Sequence, residues 1–345
     1  MPENTASTAP NPAPQPKDRK RLRRILLFAV QGTLSVVLAS MVLRGLNWQS
    51  LAQMAARLSV TFFIGASVIS LLTTVIYTMR WQQVLISMGH RSPLSGLARQ
   101  NFVGVFFNNF APSMLGQDAA KTYYLGRDMG YVAAGVSVLV DKILGLGGMT
   151  VLGAALIILL GLKDPIFTGG LTAALLFSFI SGLALLSMRV PMERMIPSFL
   201  RRWSLGQRIV DLASRSRANA GSAVTLRSLG AGLLVVTVCM GLTAASYYWF
   251  LLEATGSTPS LIQLMCALCL VYTVSNLPVS VNGIGVREQA HALVLAGLGV
   301  PLEAALGLSL LQYLFMTLQS LIGWGLWITR PRFQPPTDNK CAPSA

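Results

Sequence analysis

Charge is scarce in this chain and acidic charge scarcer still: Asp and Glu number 12 against 27 Lys and Arg, and charged residues make up 11% of 345 positions. A soluble protein of this length carries about 25% charge, so a surface wetted on all sides is excluded. Histidine is nearly absent. His90 and His291 are too few and too far apart for a metal site, and no metal is expected. Cysteine is limited to Cys239, Cys266, Cys269 and Cys341. The Cys266-x-x-Cys269 pair lacks the second pair or nearby His of a zinc site, so packing as small apolar side chains explains it. Gly145-Leu-Gly147-Gly148 and Gly283-Ile-Gly285 lack the preceding strand of a nucleotide loop, and no cofactor is expected. With no catalytic motif either, no catalytic residue is assigned and the chain is not expected to be an enzyme.

What the chain has is apolar length: 53% of it is hydrophobic. Runs at 26–43, 62–79, 133–160, 171–188, 229–252, 261–277 and 304–328 approach or exceed the roughly 20 residues that carry a helix across a bilayer core. The expected fold class is therefore all-α integral membrane: a polytopic helical bundle of about eight transmembrane helices in one domain, residues 25–330. Residues 1–24, rich in Pro, Ala and Asn and then basic, read as a disordered cytoplasmic tail, and 331–345 as a second cytoplasmic tail. The run after the basic cluster is of span length with no small-residue cleavage site, so it is expected to stay as the first helix.

The formal charge of +15 points to nucleic acid in a soluble protein, but the positions oppose it. Six cations from Lys17 to Arg24 precede the first run, and eight arginines from Arg189 to Arg227 share one loop with only Glu193 and Asp211. That bias marks loops kept in the cytoplasm. Both termini are then expected inside, with the loop 189–227 joining halves 25–188 and 228–330, in a cell membrane of bacterial inner-membrane type. No nucleic-acid partner is expected.

Two segments resist assignment as plain spans, 101–116 and 279–300; each either crosses or re-enters. The first reads Asn109-Phe-Ala-Pro112-Ser113-Met-Leu-Gly116-Gln117-Asp118. The second reads Asn276-Leu-Pro278-Val-Ser280-Val-Asn282-Gly283-Ile-Gly285-Val-Arg287-Glu288. Each runs Asn, Pro, Ser, Gly, acid. Paired Pro/Gly interruptions in corresponding places of two halves mark transporter binding sites, so Pro112, Gly116, Pro278, Gly283 and Gly285 are assigned as helix breaks forming a pseudo-repeat of re-entrant or discontinuous segments.

Most intramembrane charge lies near these breaks. Asp118 and Lys121 share a helix face at a spacing of three, Asp141 and Lys142 sit a third of the way into an apolar helix as intramembrane ion-pair residues, and Arg287 and Glu288 follow the second break with His291 one turn on. Unpaired, about six such charges would cost on the order of 15 kcal/mol, so they meet each other, water or a ligand. A half-helix starting at each break offers free N–H groups and a positive dipole end to an anion. Arg287, Glu288, Asp118, Lys121, Asn282, Asn109 and Ser113 are thus assigned to headgroup or phosphate binding. The plainer alternative is internal ion pairing with no ligand. Arg80-Trp81 reads as an interfacial anchor, and Tyr123, Tyr124, Tyr247 and Tyr248 as interfacial belts.

These residues carry a resemblance. Arg80-Trp81, residues 109–121, Asp141-Lys142 to Gly145, and above all Leu277-Pro278 to Glu288 resemble the transmembrane region of lysylphosphatidylglycerol synthases, a flippase-like family, over nearly all of 24–330. The chain departs from that pattern where Gly116-Gln117-Asp118-Ala119-Ala120-Lys121 replaces Gly-Gly-Asp-Ala-x-Arg, and where Lys142 replaces Arg; lysine keeps the charge but not the planar fork. The resemblance implies a membrane unit that moves a lipid between leaflets, here without the soluble domain that synthesises the aminoacylated lipid in fused members. The expected function is a lipid translocase for an anionic or glycan- or amino-acid-bearing lipid, with membrane lipids as substrate. Two alternatives stand beside it: an integral-membrane transferase on a lipid-linked substrate, using Asp118 or Glu288 as base, and a non-transporting partner of lipid- or envelope-biosynthesis enzymes. Which lipid, the direction, the energy source and the oligomeric state are not legible.

Overall fold

The computed structural model describes residues 33, 40, 47–110, 116–163, 165–187, 226–256, 258–276 and 285–329. Among them are ten helices and no strand. In chain order they are α1 (Trp48–Arg57), α2 (Val60–Ser87), α3 (Leu94–Phe110), α4 (Gly116–Met129), α5 (Tyr131–Leu160), α6 (Pro165–Ser187), α7 (Leu226–Thr255), α8 (Leu261–Ser275), α9 (Val286–Ala296) and α10 (Leu302–Ile328). Of the expected first span at 26–43 only residues 33 and 40 are described, both helical. Helix is the element a bilayer permits, because every backbone group is satisfied within the segment. Four helices, α2, α5, α10 and residues 227–255 of α7, are long and apolar enough to cross a membrane. Their outer faces suit lipid: Val60, Ile64, Val68 and Leu72 form an exposed apolar row at a spacing of four along α2.

The two expected interruptions are present as separate half-helices. In the first half α3 ends at Phe110 and α4 starts at Gly116; in the second α8 ends at Ser275 and α9 starts at Val286. The apolar segment expected to begin at Asn101 begins earlier, at Leu94. Pro112, Ser113, Pro278, Asn282 and Gly283 lie outside the described residues. Gly285 stands at φ +83°, a conformation that favours glycine, immediately before α9. Gly130, at φ +88°, does the same in the one-residue corner between α4 and α5.

Element order makes the repeat explicit. Helices α2 to α5 run 28, 17, 14 and 30 residues, and α7 to α10 run 30, 15, 11 and 27. Each half is long, short, break, short, long. The packing obeys the same exchange: α2 lies on α7, α3 on α10 as α8 on α5, α3 on α4 as α8 on α9, and α4 on α5 as α9 on α10. Swapping the halves leaves these neighbours unchanged.

Small residues let the helices approach closely, as van der Waals packing in a membrane requires. A Cβ on Gly323 of α10 would collide with the Phe102 carbonyl of α3, and one on Gly153 of α5 would sit 3.0 Å from Cys269 Cβ of α8. Cys239, Cys266 and Cys269 are buried free thiols, in line with a packing role. The main core gathers Phe62, Phe167, Met240, Leu251, Leu264, Leu268 and Leu308 between the two halves.

Candidate functional site

Residues close to both interruptions, among them Gln117, Asp118, Asn276 and Arg287, line one cavity of about 350 Å³. Its walls come from α2 (Thr74, Tyr77, Arg80), α3 (Asn101, Val105, Asn108), α4 (Gln117, Asp118, Lys121) and α5 (Asp141, Lys142, Met149). Across from these lie Tyr272, Ser275 and Asn276 at the end of α8, Arg287 of α9, and Gln312 and Met316 of α10. Four lining cations face two lining carboxylates, a formal balance of +2. The excess is positive.

The carboxylates are paired, but not as their spacing suggested. Asp118 accepts from Lys142 Nζ at 2.6 Å, tying α4 to α5, rather than pairing with Lys121 one turn along its own helix. Asp141 accepts from Arg80 Nε at 2.7 Å and Nη2 at 3.3 Å, tying α5 to α2. For Asp118 the helix neighbour three residues on, and for Asp141 the adjacent Lys142, was outcompeted by a residue that tertiary packing brings closer. Asp141 and Lys142 thus ion-pair with other helices, not with each other.

Arg80-Trp81 is not an interfacial anchor. Arg80 is 8% exposed and Trp81 fully buried, with the indole N–H donating to Ser137 Oγ at 3.2 Å. Residues near the end of α2 face inward because α5 packs on them. Gly145 of α5 makes the room: a Cβ there would lie 2.5 Å from Arg80 Nη1. Gly145 of the Gly145-Leu-Gly147-Gly148 run therefore packs against the site itself.

Lys121 reaches the same corner over the Trp81 ring. It is 8% exposed, its ammonium stands 4.9 Å from the Trp81 ring centroid, and it makes no hydrogen bond or ion pair among the described residues. Gln117, where the family pattern has glycine, lines the cavity and donates to Asn101 Oδ1 at 2.7 Å, and Asn101 in turn donates to Thr78 Oγ1 at 3.0 Å. Asn109 is exposed; its neighbour Asn108 lines the cavity instead. A one-residue rotation of about 100° along a helix accounts for that difference.

The second half is built from neutral partners. Glu288 accepts from the Gly285 N–H at 2.6 Å and from Ser309 Oγ at 3.4 Å, so it caps α9 and does not line the cavity. Arg287 does line it, with its guanidinium 3.9 Å from the Tyr313 ring centroid and Nη1 donating to Met316 Sδ at 3.2 Å. His291 is fully buried. Its Nδ1 meets the Arg287 carbonyl at 2.8 Å and its Nε2 the Tyr247 hydroxyl at 3.0 Å, which removes Tyr247 from any interfacial belt.

Corresponding helix positions carry corresponding roles. Asp118 and Glu288 are each third in their half-helix, and Lys121 and His291 each sixth. Asp141 and Gln312 are each eleventh in their long helix. Lys121 rests on Trp81 of α2, His291 on Tyr247 of α7. The repeat thus extends to the site's chemistry: the acids Asp118 and Glu288 match, while Lys121 and Asp141 of one half correspond to His291 and Gln312 of the other. No spacing rule reveals this; aligning the halves on their acids, Asp118 with Glu288, would have found the Lys121 and His291 match.

A bundle of apolar helices around a buried, net-positive cavity defines a multi-pass membrane protein with a polar interior site. The chain belongs to the lysylphosphatidylglycerol synthase TM region family, whose model matches residues 26–323. The family is a membrane domain associated with lipid handling. No curated protein matches the chain as a relative.

Proposed function

We propose that this protein is a lipid translocase that carries an anionic phospholipid-type headgroup between leaflets through the cavity between its two halves. One observation carries the reading: Arg80, Lys121, Lys142 and Arg287, drawn from α2, α4, α5 and α9, line one cavity with two carboxylates, Asp118 and Asp141. Moving a charged headgroup through hydrocarbon costs many kcal/mol, and a polar, positively biased cavity removes much of that cost while the acyl chains stay in lipid. The half-helix starting at Gly116 brings its first turn, Gln117 and Asp118, to the same cavity, adding N–H dipole to side-chain charge.

A transferase needs a carboxylate free to act as base. Asp118 is held by Lys142 and Glu288 is spent on the α9 cap, so the arrangement favours binding and passage over group transfer. Headgroup accessibility in proteoliposomes tests the proposal. Labelled anionic phospholipid becomes accessible to an external quencher faster than in protein-free vesicles; equal rates across the host membrane's own lipids overturn it.

A further inference from the structure

The two halves are related by a reversal that helix order alone does not reveal. Counted from the first residue of its helix, Thr73 of α2 and Cys239 of α7 are each fourteenth, and they meet: Cys239 Sγ lies 3.8 Å from the Thr73 carbonyl oxygen. From that point the contacts run in opposite directions. Phe62 near the start of α2 rests on Trp249 near the end of α7, with ring centroids 5.6 Å apart, while Gly232 near the start of α7 lies beside Arg80 near the end of α2. Equivalent spanning helices are therefore antiparallel about an axis that crosses them, and the halves are inverted repeats.

The cavity breaks this symmetry. The matched residues Asn108 and Ser275, Gln117 and Arg287, and Asp141 and Gln312 line it together, so it straddles the axis. Beyond them only one side is open: Thr74, Asn101 and Lys121 line it, whereas their counterparts Met240, Leu268 and His291 do not and are at most 1% exposed. The helix crossings differ in the same sense. A Cβ on Gly148 of α5 would lie 3.5 Å from Val236 Cβ of α7, but the matching pair, Gln319 of α10 and Ser70 of α2, is spanned by the length of the glutamine, whose Nε2 donates to Ser70 Oγ at 2.6 Å. Two halves of one design thus hold different conformations. Resting on the translocase reading, we propose that the halves exchange these conformations: α5 leaves α7, the Lys121 side closes, and Met240 and His291 come to line a second half-site at the opposite end of the molecule, which receives the headgroup.

The first test pins α5 to α7. Gly148→Cys with Val236→Cys, in the full-length chain with Cys239→Ala to prevent mispairing, sets two thiols at a Cβ separation that a disulfide spans, about 3.5–4.5 Å. In proteoliposomes the oxidised protein is expected to bind headgroup-labelled phosphatidylglycerol as the reduced protein does yet to lose its flip, and reduction restores it. Flip at the reduced rate with the bridge closed overturns the inference. The wild-type chain supplies a second measurement that no substitution can spoil. Phosphatidylglycerol carrying a photoreactive diazirine on its headgroup glycerol, irradiated in proteoliposomes, is expected to label Met240, buried in this structure, as well as its counterpart Thr74. Labelling of one residue alone, or of neither, overturns the inference, and this measurement decides wherever the double variant loses binding or stays inactive when reduced. Labelling of both with no accelerated flip of any lipid sinks the transport reading and leaves the exchange standing; flip with only one residue labelled does the reverse.

Discussion

Arg80 and Asp141 form the most buried charge pair among the described residues, with side chains 9% and 8% exposed. Removing one partner of such a pair strands the other charge and costs about 3–5 kcal/mol, whereas replacing both with apolar residues costs far less. Arg80→Met and Asp141→Leu are each expected to lower the melting temperature sharply in detergent, and the double variant to recover much of the loss. Additive losses in a thermal-shift cycle would show that the pair is not coupled. Gly145→Ala probes the same contact from the other side: its Cβ, 2.5 Å from Arg80 Nη1, forces the guanidinium off its carboxylate. A loss of about 1–3 kcal/mol is expected, as for overpacking. Nothing in the spacing of Arg80 predicts this, since a basic-aromatic pair near a helix end usually faces the headgroups.

Among the elements, the half-helices decide where the site forms. Glu288 caps the start of α9 by accepting from the Gly285 N–H, and removing such a cap costs about 0.5–2 kcal/mol. Glu288→Ala is expected to loosen the first turn of α9, speeding hydrogen exchange at the amides of residues 285–289 and moving Arg287 from the cavity wall, with flip rate falling accordingly. Unchanged exchange there would mean the cap is dispensable. The breaks themselves were legible in the sequence, because Pro and Gly interrupt helices for local reasons. The partners of Asp118 and Lys142 were not, because an ion pair between α4 and α5 depends on how two helices cross.

For the whole molecule, the two halves share one order of helices and one set of neighbours, and described residues of both halves line the cavity. The Lys/Arg bias of the sequence predicts that both termini face the cytoplasm. Cys239, Cys266 and Cys269 are buried, so Cys341 in the C-terminal tail is the natural reporter. A membrane-impermeant maleimide is expected to label Cys341 in inside-out vesicles and not in intact spheroplasts. Labelling from the outside would reverse the topology.

The sequence by itself determined the solvent, the helical class, the two interruptions and the identity of most of the intramembrane charges. Each of these follows from composition or from short-range backbone rules that act within a few residues. Only the tertiary structure decided which charges pair, that Arg80-Trp81 and Tyr247 turn inward, that Asn108 rather than Asn109 lines the cavity, and that Lys121 stands over the Trp81 ring. These depend on contacts between residues such as Arg80 and Asp141, 61 positions apart, whose meeting is set by helix packing and by the room that Gly145 leaves.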